Sequence, residues 1–222
     1  MVLSLFGNGC IDCLDVRNVV KVMTYSKQFL EEVAIVAQNI SPESIEEVVD
    51  ICLGIKSSGG RLFFAGSGGG AGHASHATCD FRKLVGVESY CVSDNVSELT
   101  ARINDESWED SYVSWLKASR LNANDGVFIF SVGGGDAIRR VSMQLVNVMD
   151  YAKSVGAKVV GVAGRDGGYL AKVADGCVII PPLFGDAITS HTEGFQAVVW
   201  HLMIGHPRIV QSKPVWETLA VK

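Results

Sequence analysis

The stretch RLFFAGSGGGAGHASHATCD, from Arg61 to Asp80, contains the pattern that decides the fold. It begins with an apolar run that ends at a glycine, continues through a Ser-Gly-Gly-Gly turn, and enters a helix near Ala71. A buried strand, a glycine turn and a helix form the first unit of a parallel α/β sheet. The turn is not followed by Gly-Lys-Ser or Gly-Lys-Thr, so it lacks the lysine of a P-loop.

Four later apolar runs repeat this pattern: YCVS (90–93), GVFIFSV (126–132), KVVGVAG (158–164) and CVIIP (177–181). Continuous apolar runs of this length, separated by helical segments, indicate strands that are covered on both faces. We therefore predict an α/β fold with a doubly wound, mostly parallel five-stranded sheet of the flavodoxin-like type. In such sheets ligands bind outside the carboxyl ends of the strands.

Two helices are predicted before the first strand. Residues 18–38 carry apolar side chains at three-to-four spacing, and Ser41-Pro42-Glu43 is a typical start for a second helix that runs to about Lys56. No repeat, linker or low-complexity block follows. We expect a single domain overall, with residues 1–60 as a helical extension packed on the α/β core of residues 61–222.

The composition excludes several classes of protein. The chain has 222 residues, 48% of them hydrophobic, and a formal net charge of −5. This balance predicts a folded protein that does not bind nucleic acid, because nucleic-acid binders usually carry clustered Lys and Arg. The apolar runs are shorter than the roughly 20 residues of a membrane span, and the MVLSLF start is too short for a signal peptide. We expect a cytoplasmic protein without membrane contact.

The six cysteines are scattered, and most lie inside apolar stretches, which favours reduced thiols in the core. Cys10 and Cys13 form a CxxC pair. A zinc ribbon needs a second such pair, so a metal site there is the less favoured interpretation.

Two glycine loops follow predicted strands. At residues 67–70 (Ser-Gly-Gly-Gly), the exposed N–H groups and positive end of the following helix favour an anion such as phosphate. An ordinary tight turn is the alternative. Residues 131–136 (Ser-Val-Gly-Gly-Gly-Asp) repeat the arrangement before a predicted helix with Arg139 and Arg140 in its early turns. Together the loops favour a bound phosphate ester, and neither matches a GxGxxG dinucleotide site.

The helix after the first loop carries His76 and Asp80, which are four residues apart and therefore share one face. This spacing lets both side chains reach one metal ion or one substrate. A surface hydrogen bond between them is the alternative. His73 lies near the mouth of the loop and is interpreted as an auxiliary contact.

The last long helix, around residues 192–205, is apolar except for Glu193, Gln196 and His201. Polar side chains are costly in so apolar a helix unless they are paired. On an ideal helix, Glu193 and His201 are about 12 Å apart in rise and roughly 80° apart around the axis. A π turn or a frayed first turn near Gly194 would bring them onto one face. A helix-start glutamate and a core histidine are the alternative.

Four stretches between Arg61 and about Gly205 carry a resemblance to a known family. GSGGGAGHASHATCD resembles a glycine loop with a His-x-x-x-acid helix, and Ser93-Asp94 with SELTARIND resembles a Ser/Thr-Asp and A-L-T-A-x-x-N-D segment. VVGVAGRDGGYLAKVAD is similar to a V-I-G-L-T-G-R-D-G-G run, and EGFQAVVWH to a Gln-x7-His helix. These are motifs of the sugar isomerase (SIS) domain proteins and, among them, of the phosphoheptose isomerases.

The resemblance implies a set of functional residues. His76, Asp80, Glu193 and His201 match the family's metal-binding and catalytic set, usually His, Glu, Gln and His around zinc, with Asp80 as base and His201 as acid. Other positions match the substrate and phosphate cradle and the sugar end of the pocket: Ser67, Gly68, Gly69, Gly70, Ser131, Gly133, Gly134, Gly135, Asp136 and Asp94. The family also implies a homotetramer with pockets between subunits.

The sequence departs from the family in three places. Asp80 replaces a glutamate, which shortens its reach by about 1.5 Å, and Glu193 replaces a neutral amide. The family's Ser-Thr-Ser-Gly-Asn-Ser phosphate loop is Ser-Val-Gly-Gly-Gly-Asp at 131–136. Asp136 would repel a phosphate unless its side chain turns back to cap its own helix.

The resemblance implies an aldose–ketose isomerase that converts sedoheptulose 7-phosphate into D-glycero-D-manno-heptose 7-phosphate through an enediol. Such a reaction needs a base at carbon and an acid or Lewis acid at oxygen. The alternative is a non-catalytic SIS module that binds a sugar phosphate or a partner protein. The loss of hydroxyl groups from the loop at 131–136 favours the non-catalytic module. The presence of four side chains that could bind a metal ion favours the enzyme. Another phospho-sugar chemistry, such as deamination, stays open.

Overall fold

The computed structural model describes residues 24–219. The Cys10 and Cys13 pair and the first part of the helix predicted at 18–38 lie outside these residues. The described chain forms a sheet with strands β1 (Leu62–Gly66), β2 (Ser89–Cys91), β3 (Gly126–Ser131), β4 (Lys158–Ala163) and β5 (Gly176–Ile179). The strand order is β2-β1-β3-β4-β5, and these neighbours all pair in parallel. The predicted five-stranded, doubly wound sheet is confirmed.

The helices of the described chain lie before the first strand, between the strands and after the last strand. They are α1 (Tyr25–Asn39), α2 (Pro42–Ser57), α3 (Gly69–Asp80), α4 (Val96–Asp105), α5 (Ser111–Ala118), α6 (Met143–Ser154), α7 (Gly168–Val173) and α8 (Ile188–Gly205). A π-helical segment, Phe81–Val85, follows α3 directly. Among residues 24–219, no helix is both long and apolar enough to cross a membrane.

The two helices predicted before the sheet are present. The Ser41 side chain accepts a hydrogen bond from the Ser44 N–H at 3.2 Å, and Pro42 occupies the first helical position of α2. Both features are standard helix-start chemistry. The sequence pattern therefore located the start of α2 correctly.

Alternate residues of the strands face two different layers of helices. Phe64 and Phe128 pack in a core with side chains of α2, α3 and α8, whereas Phe63 and Val127 pack in a second core with side chains of α5 and α6. The side chains of β1 and β3 are buried on both faces, which explains their continuous apolar sequences.

Strand register brings three loops to one edge of the sheet. Gly66 at the end of β1 lies opposite Phe130 of β3, and Ser131 at the end of β3 lies opposite Ala163 of β4. The loops after β1, β3 and β4 therefore begin side by side at the carboxyl edge. This is where parallel α/β sheets bind their ligands.

The predicted helix containing Arg139 and Arg140 is wrong. Residues 137–142 form a turn closed by an antiparallel bridge between Asp136 and Val141, and α6 begins only at Met143. The Asp136 carboxylate accepts hydrogen bonds from the N–H groups that would open a helix, and Arg140 adopts a left-handed φ of 56°. Side-chain capping of this kind competes with helix formation.

The described cysteines are free thiols, and two of them, Cys52 and Cys91, are buried as the sequence indicated. Burial raises the pKa of the Cys52 thiol to about 12, which keeps it protonated and unreactive.

Asp125, just before β3, holds the amino edge of the sheet together. Its side chain accepts hydrogen bonds from the Arg61 backbone N–H at 2.9 Å and from the Arg61 guanidinium at 2.7 Å. It also accepts from the Asn122 side chain at 2.9 Å, and Asp125 is only 1% exposed.

We expect Asp125→Ala to lower the free energy of unfolding by about 3 kcal/mol, because it leaves a half-buried guanidinium without its partner. Urea denaturation of this variant, with Glu47→Ala of the exposed face of α2 as a control, measures the effect. A loss below about 1 kcal/mol would mean that water replaces the carboxylate at Arg61.

Candidate functional site

Helices α3 and α8 pack side by side and bring the two predicted groups of polar residues together. The Glu193 carboxylate lies against Gly69, at the start of α3. Farther along both helices, the rings of Trp200 and His201 lie 4.7 Å and 5.6 Å from the ring of His76. The two helices therefore run in the same direction, and residues far apart in sequence share one groove.

The groove contains a group of three possible metal ligands: His76, Asp80 and His201. Each offers one ligand atom, and these atoms lie within 4.8 Å of one another. His76 Nε2 and Asp80 Oδ2 are 3.6 Å apart; the His76 side chain is 61% exposed, and that of Asp80 only 16%. The predicted convergence of the α3 pair with His201 is present within one chain.

The ring of His201 is held in a defined orientation. Its Nδ1 lies 2.7 Å from the Ala197 carbonyl oxygen, to which it donates, and its ring stacks on Trp200, which is fully buried. This hydrogen bond leaves Nε2 as the free nitrogen. A backbone carbonyl on the second nitrogen is the usual way to fix a metal-binding or acid-base histidine.

The donor set fits a divalent transition metal. Two imidazole nitrogens and one carboxylate oxygen are common ligands of such ions, and three protein ligands leave a further position for water or substrate. His76 and His201 are exposed, so the group is open to a ligand from outside. These residues can hold a metal ion of the catalytic type.

Glu193 lies outside the three-residue group, although it was predicted beside His201. A Cβ atom added at Gly69 would lie 2.5 Å from its carboxyl carbon, so the glycine makes room for this carboxylate. Helix α8 continues from Ile188 to Gly205 as an α-helix without a π turn at Gly194. The rise of eight residues along a regular helix therefore separates Glu193 from His201.

His73 lies between Glu193 and the end of β3. Its side chain is half-buried, and its ring centre is 6.0 Å from that of Phe130. Burial lowers the pKa of His73, and the nearby charge of Glu193 opposes this effect. His73 is therefore a mainly neutral imidazole at neutral pH, one that can donate to or accept from a ligand.

The glycines of the first loop are required by a left-handed backbone conformation or by close packing. Gly68 has a φ of 58°, and a Cβ at Gly66 would lie 2.2 Å from the backbone of Gly70. The Tyr112 hydroxyl donates to the Gly66 carbonyl at 3.1 Å and supports the end of β1, a contact that no sequence motif indicated. Ser67 is half-buried at this edge, where the first N–H groups of α3 favour an anion.

The second glycine loop packs on the start of α7. Gly134 has a φ of 72°, and a Cβ there would lie 1.8 Å from the Gly167 carbonyl oxygen. The Gly135 and Gly134 carbonyls accept hydrogen bonds from the backbone N–H groups of Tyr169 and Leu170 at 2.8 Å and 2.9 Å. Glycine at position 134 therefore allows the loop after β3 to contact the loop before α7.

Two further predicted residues flank these loops. Ser131 Oγ accepts the Gly134 N–H at 3.0 Å, which holds the second loop in its turn. Asp94 lies after β2 in a separate cavity of about 290 Å³ that also includes Thr78 and Arg82. Asp94 follows the edge strand β2, whereas Gly133 and Gly135, which line another cavity, follow β3 on the other side of β1.

Asp136 caps the chain as the sequence analysis required, but at a different place. Its Oδ1 accepts the N–H groups of Ile138 and Arg139 at 2.9 Å each, within the 137–142 turn and not at the start of α6. These hydrogen bonds are the main reason why the pKa of Asp136 lies below its ordinary value. The negative charge of Asp136 therefore lies at the edge of the second glycine loop.

The parallel sheet, the glycine loops at its carboxyl edge and the His-Asp-His group define an α/β protein with a candidate small-ligand site at the edge of its sheet. The sequence profile of the SIS domain matches residues 24–164. Because this match covers more than half of the chain, the protein belongs to the SIS domain family.

Two curated relatives illustrate the similarity. Lincomycin biosynthesis protein LmbN of Streptomyces lincolnensis is 31% identical over 179 residues, which cover 76% of this chain and 63% of that protein. The chain thus spans less than two thirds of that relative. The phosphoheptose isomerase of Paramagnetospirillum magneticum is 26% identical over 171 residues, covering 74% of this chain and 80% of that protein.

Solved structures show the same fold. Phosphoheptose isomerase GmhA from Neisseria gonorrhoeae matches with a TM-score of 0.70 at 21% identity, covering 81% of this chain and 94% of that one. A phosphoheptose isomerase from Francisella tularensis matches with a TM-score of 0.69 at 17% identity, covering 82% of this chain and 97% of that one. Because both sequence identities are below 25%, the similarity to these structures shows a shared fold and no more.

Proposed function

We propose that this protein is a sugar-phosphate isomerase that interconverts an aldose and a ketose through an enediol. The observation that carries the proposal is the convergence of His76, Asp80 and His201, with ligand atoms within 4.8 Å of one another. The reaction needs a base at the carbon beside a carbonyl and a proton donor at oxygen, and this group supplies both.

Asp80 acts as the base. Its carboxylate removes the proton from the carbon beside the carbonyl and returns it to the neighbouring carbon of the enediol. His201 moves the second proton between the two oxygens, and its Nδ1 bond to Ala197 keeps the ring in place for this transfer. The partial burial of Asp80 limits the access of water to the transferred proton.

A zinc ion fits the donor set of His76, Asp80 and His201. When bound through His201 Nε2 and one oxygen of Asp80, it would polarise the substrate oxygens as a Lewis acid in place of the proton transfer by His201, and the second Asp80 oxygen would remain available as the base. Glu193 is the fourth ligand in the set that the family resemblance implies. Its carboxylate has to leave Gly69 and change rotamer to take that position. In its present place it lies at the start of α3, where the helix dipole favours a negative charge.

The glycine loops form the binding surface of the sugar phosphate in this proposal. Ser67, the amides of residues 68–70 and the loop at 131–136 hold the phosphate end once the Glu193 carboxylate has left Gly69. The family resemblance assigns Asp94 to the sugar end of the pocket, but within one chain Asp94 lies in its separate cavity after β2. Support comes from the position of the two loops at the carboxyl edge of adjacent strands β1 and β3. The Asp136 carboxylate is engaged with its own turn, which reduces its repulsion of a phosphate.

Sedoheptulose 7-phosphate is the leading substrate, with D-glycero-D-manno-heptose 7-phosphate as product. Relatives named phosphoheptose isomerase cover most of the chain, and the resemblance to them also supports a cytoplasmic homotetramer. The similarity to LmbN, a protein of lincomycin biosynthesis, and the changed loop at 131–136 favour tests with other sugar phosphates as well.

The decisive experiment is a panel of aldose and ketose phosphates incubated with the purified protein in D₂O. We expect isomerisation with deuterium incorporated at the carbon beside the carbonyl, and a bound metal found by elemental analysis. A non-catalytic SIS module, which the lost loop hydroxyls favour, would bind a sugar phosphate without product or deuterium exchange. That result would refute the isomerase.

A further inference from the structure

A second pocket lies between the loops after β3 and β4, separate from the His76, Asp80 and His201 group. Its volume is about 470 Å³, within the usual range for small-molecule sites. The polar side chains that line it are Asp136, Arg139, Arg165, Asp166, Tyr169 and Lys172. Gly133, Gly135 and Asp136 form one wall, so the pocket adjoins the proposed phosphate loop at 131–136.

The pocket concentrates positive charge in an acidic protein. Its lining has three cationic side chains and two carboxylates, whereas the whole chain has a formal net charge of −5. Both carboxylates are engaged with backbone: Asp136 with the 137–142 turn, and Asp166 Oδ1 with the Gly168 N–H at 3.1 Å. Arg139 approaches Asp136 only to 3.8 Å.

Two of the cations are not ion-paired in the described part of the chain, although Lys172 lies near enough to Asp136 to help lower the pKa of that carboxyl. Within residues 24–219, neither Arg165 nor Lys172 makes an ion pair or a side-chain hydrogen bond. The nearby Arg140, in contrast, pairs with the Glu109 carboxylate. Unpaired cations in a concave surface attract an anion and hold it more strongly than single surface lysines do.

The backbone directs Arg165 into the pocket. Arg165 has a φ of 54°, a left-handed conformation that costs about 1 kcal/mol or more for a residue with a side chain. Its Cδ lies 3.7 Å from the position that a Cβ at Gly133 would take. The side chain therefore crosses from the β4 loop to the β3 loop, and the absence of a side chain at Gly133 leaves it this path.

We propose that this pocket is a phosphate site, in which Arg139, Arg165 and Lys172 bind the dianion of a phosphate monoester. Guanidinium groups suit this role because they donate two parallel hydrogen bonds to phosphate oxygens. The phosphate belongs either to the sugar substrate, reaching past the loop at 133–136, or to a second phosphorylated small molecule. The recognition chemistry is the same for both sources.

Titration of inorganic phosphate into the full-length protein, followed by calorimetry, tests the site without any turnover. We expect Arg165→Ala to weaken phosphate binding about tenfold or more, since a charged hydrogen-bond partner is lost. Arg120→Ala is the matched control, because Arg120 also has a φ of 54° but lies before β3, at the opposite edge of the sheet. Its affinity for phosphate should equal that of the wild type.

Two further variants keep the test independent of how Arg165→Ala folds. Lys172→Ala, on the exposed side of α7, should also weaken phosphate binding. Asp136→Asn removes a negative charge from the pocket while keeping an oxygen that can accept from the turn, so it should bind phosphate more tightly. Equal phosphate affinities in the wild type and all four variants, or no phosphate binding by the wild type, would overturn the proposal.

Isomerase assays distinguish the two sources of phosphate. If the substrate's phosphate occupies the pocket, Arg165→Ala raises KM far more than it changes kcat, and inorganic phosphate inhibits competitively. If a second molecule occupies it, inhibition or activation by phosphate is not competitive. Because phosphate binding is measured without catalysis, the site can fail or succeed independently of the proposed isomerase activity.

Discussion

Replacement of Asp80 by asparagine should lower kcat for sugar-phosphate isomerisation by at least about a hundredfold, the lower range of general acid-base contributions. The amide has no basicity at neutral pH, although it is nearly the same size as the carboxylate. The Asp80 side chain at the end of α3 is only 16% exposed, but the similar size of asparagine leaves the surrounding packing unchanged. Steady-state kinetics and deuterium exchange at the substrate carbon measure the loss.

The matched control for Asp80→Asn is Glu47→Gln, which makes the same carboxylate-to-amide change on the exposed face of α2. We expect full activity for the control and the same thermal unfolding midpoint for both variants. Metal content is measured on each sample, so that loss of the ion and loss of the base are separated. An Asp80→Asn protein with unchanged kcat and normal deuterium exchange would remove Asp80 from the role of base.

The second large effect is expected for His201→Ala. The change deletes one of three clustered ligands and the ring that packs on Trp200. We expect zinc affinity to fall by at least about a hundredfold, more than the tenfold to hundredfold typical of residues that only support a ligand, with a parallel fall in kcat. Elemental analysis after dialysis and competition with a chelator measure the first quantity.

His206→Ala serves as the control for His201→Ala, because His206 lies just after α8 and pairs with Glu46, away from the cluster. It should retain metal and activity. If His201→Ala keeps both the wild-type zinc stoichiometry and the wild-type rate, the three-residue group is not the catalytic centre.

The fold could be predicted because its signals are local. Runs such as GVFIFSV are apolar at every position since both faces of β3 are covered by helices, and that pattern identifies a parallel sheet without knowledge of any long-range contact. The start of α2 was equally clear, because its cap uses Ser41 and Pro42 within one turn of chain.

The candidate site could be predicted only in part. The spacing of His76 and Asp80 on one helix is a local property, whereas the approach of His201 depends on the packing of α8 on α3. The family resemblance supplied that link, but it could not show that Glu193 turns toward Gly69 instead of toward His201. The 137–142 turn was missed because two hydrogen bonds that the Asp136 carboxylate accepts from the Ile138 and Arg139 N–H groups determine the conformation of a segment whose residues are compatible with a helix.

The interlocked glycine loops limit how this protein can be engineered or can diverge. A serine placed at Gly134 would meet the Gly167 carbonyl oxygen at 1.8 Å, and one at Gly135 would meet Val146 at 2.9 Å. Position 133 differs, because the nearest atom to a Cβ there is Arg165 Cδ at 3.7 Å, so a serine fits at 133 while Gly134 is kept. Replacement of Gly134 itself requires that the start of α7 be rebuilt in the same step, because the two positions are coupled by direct contact.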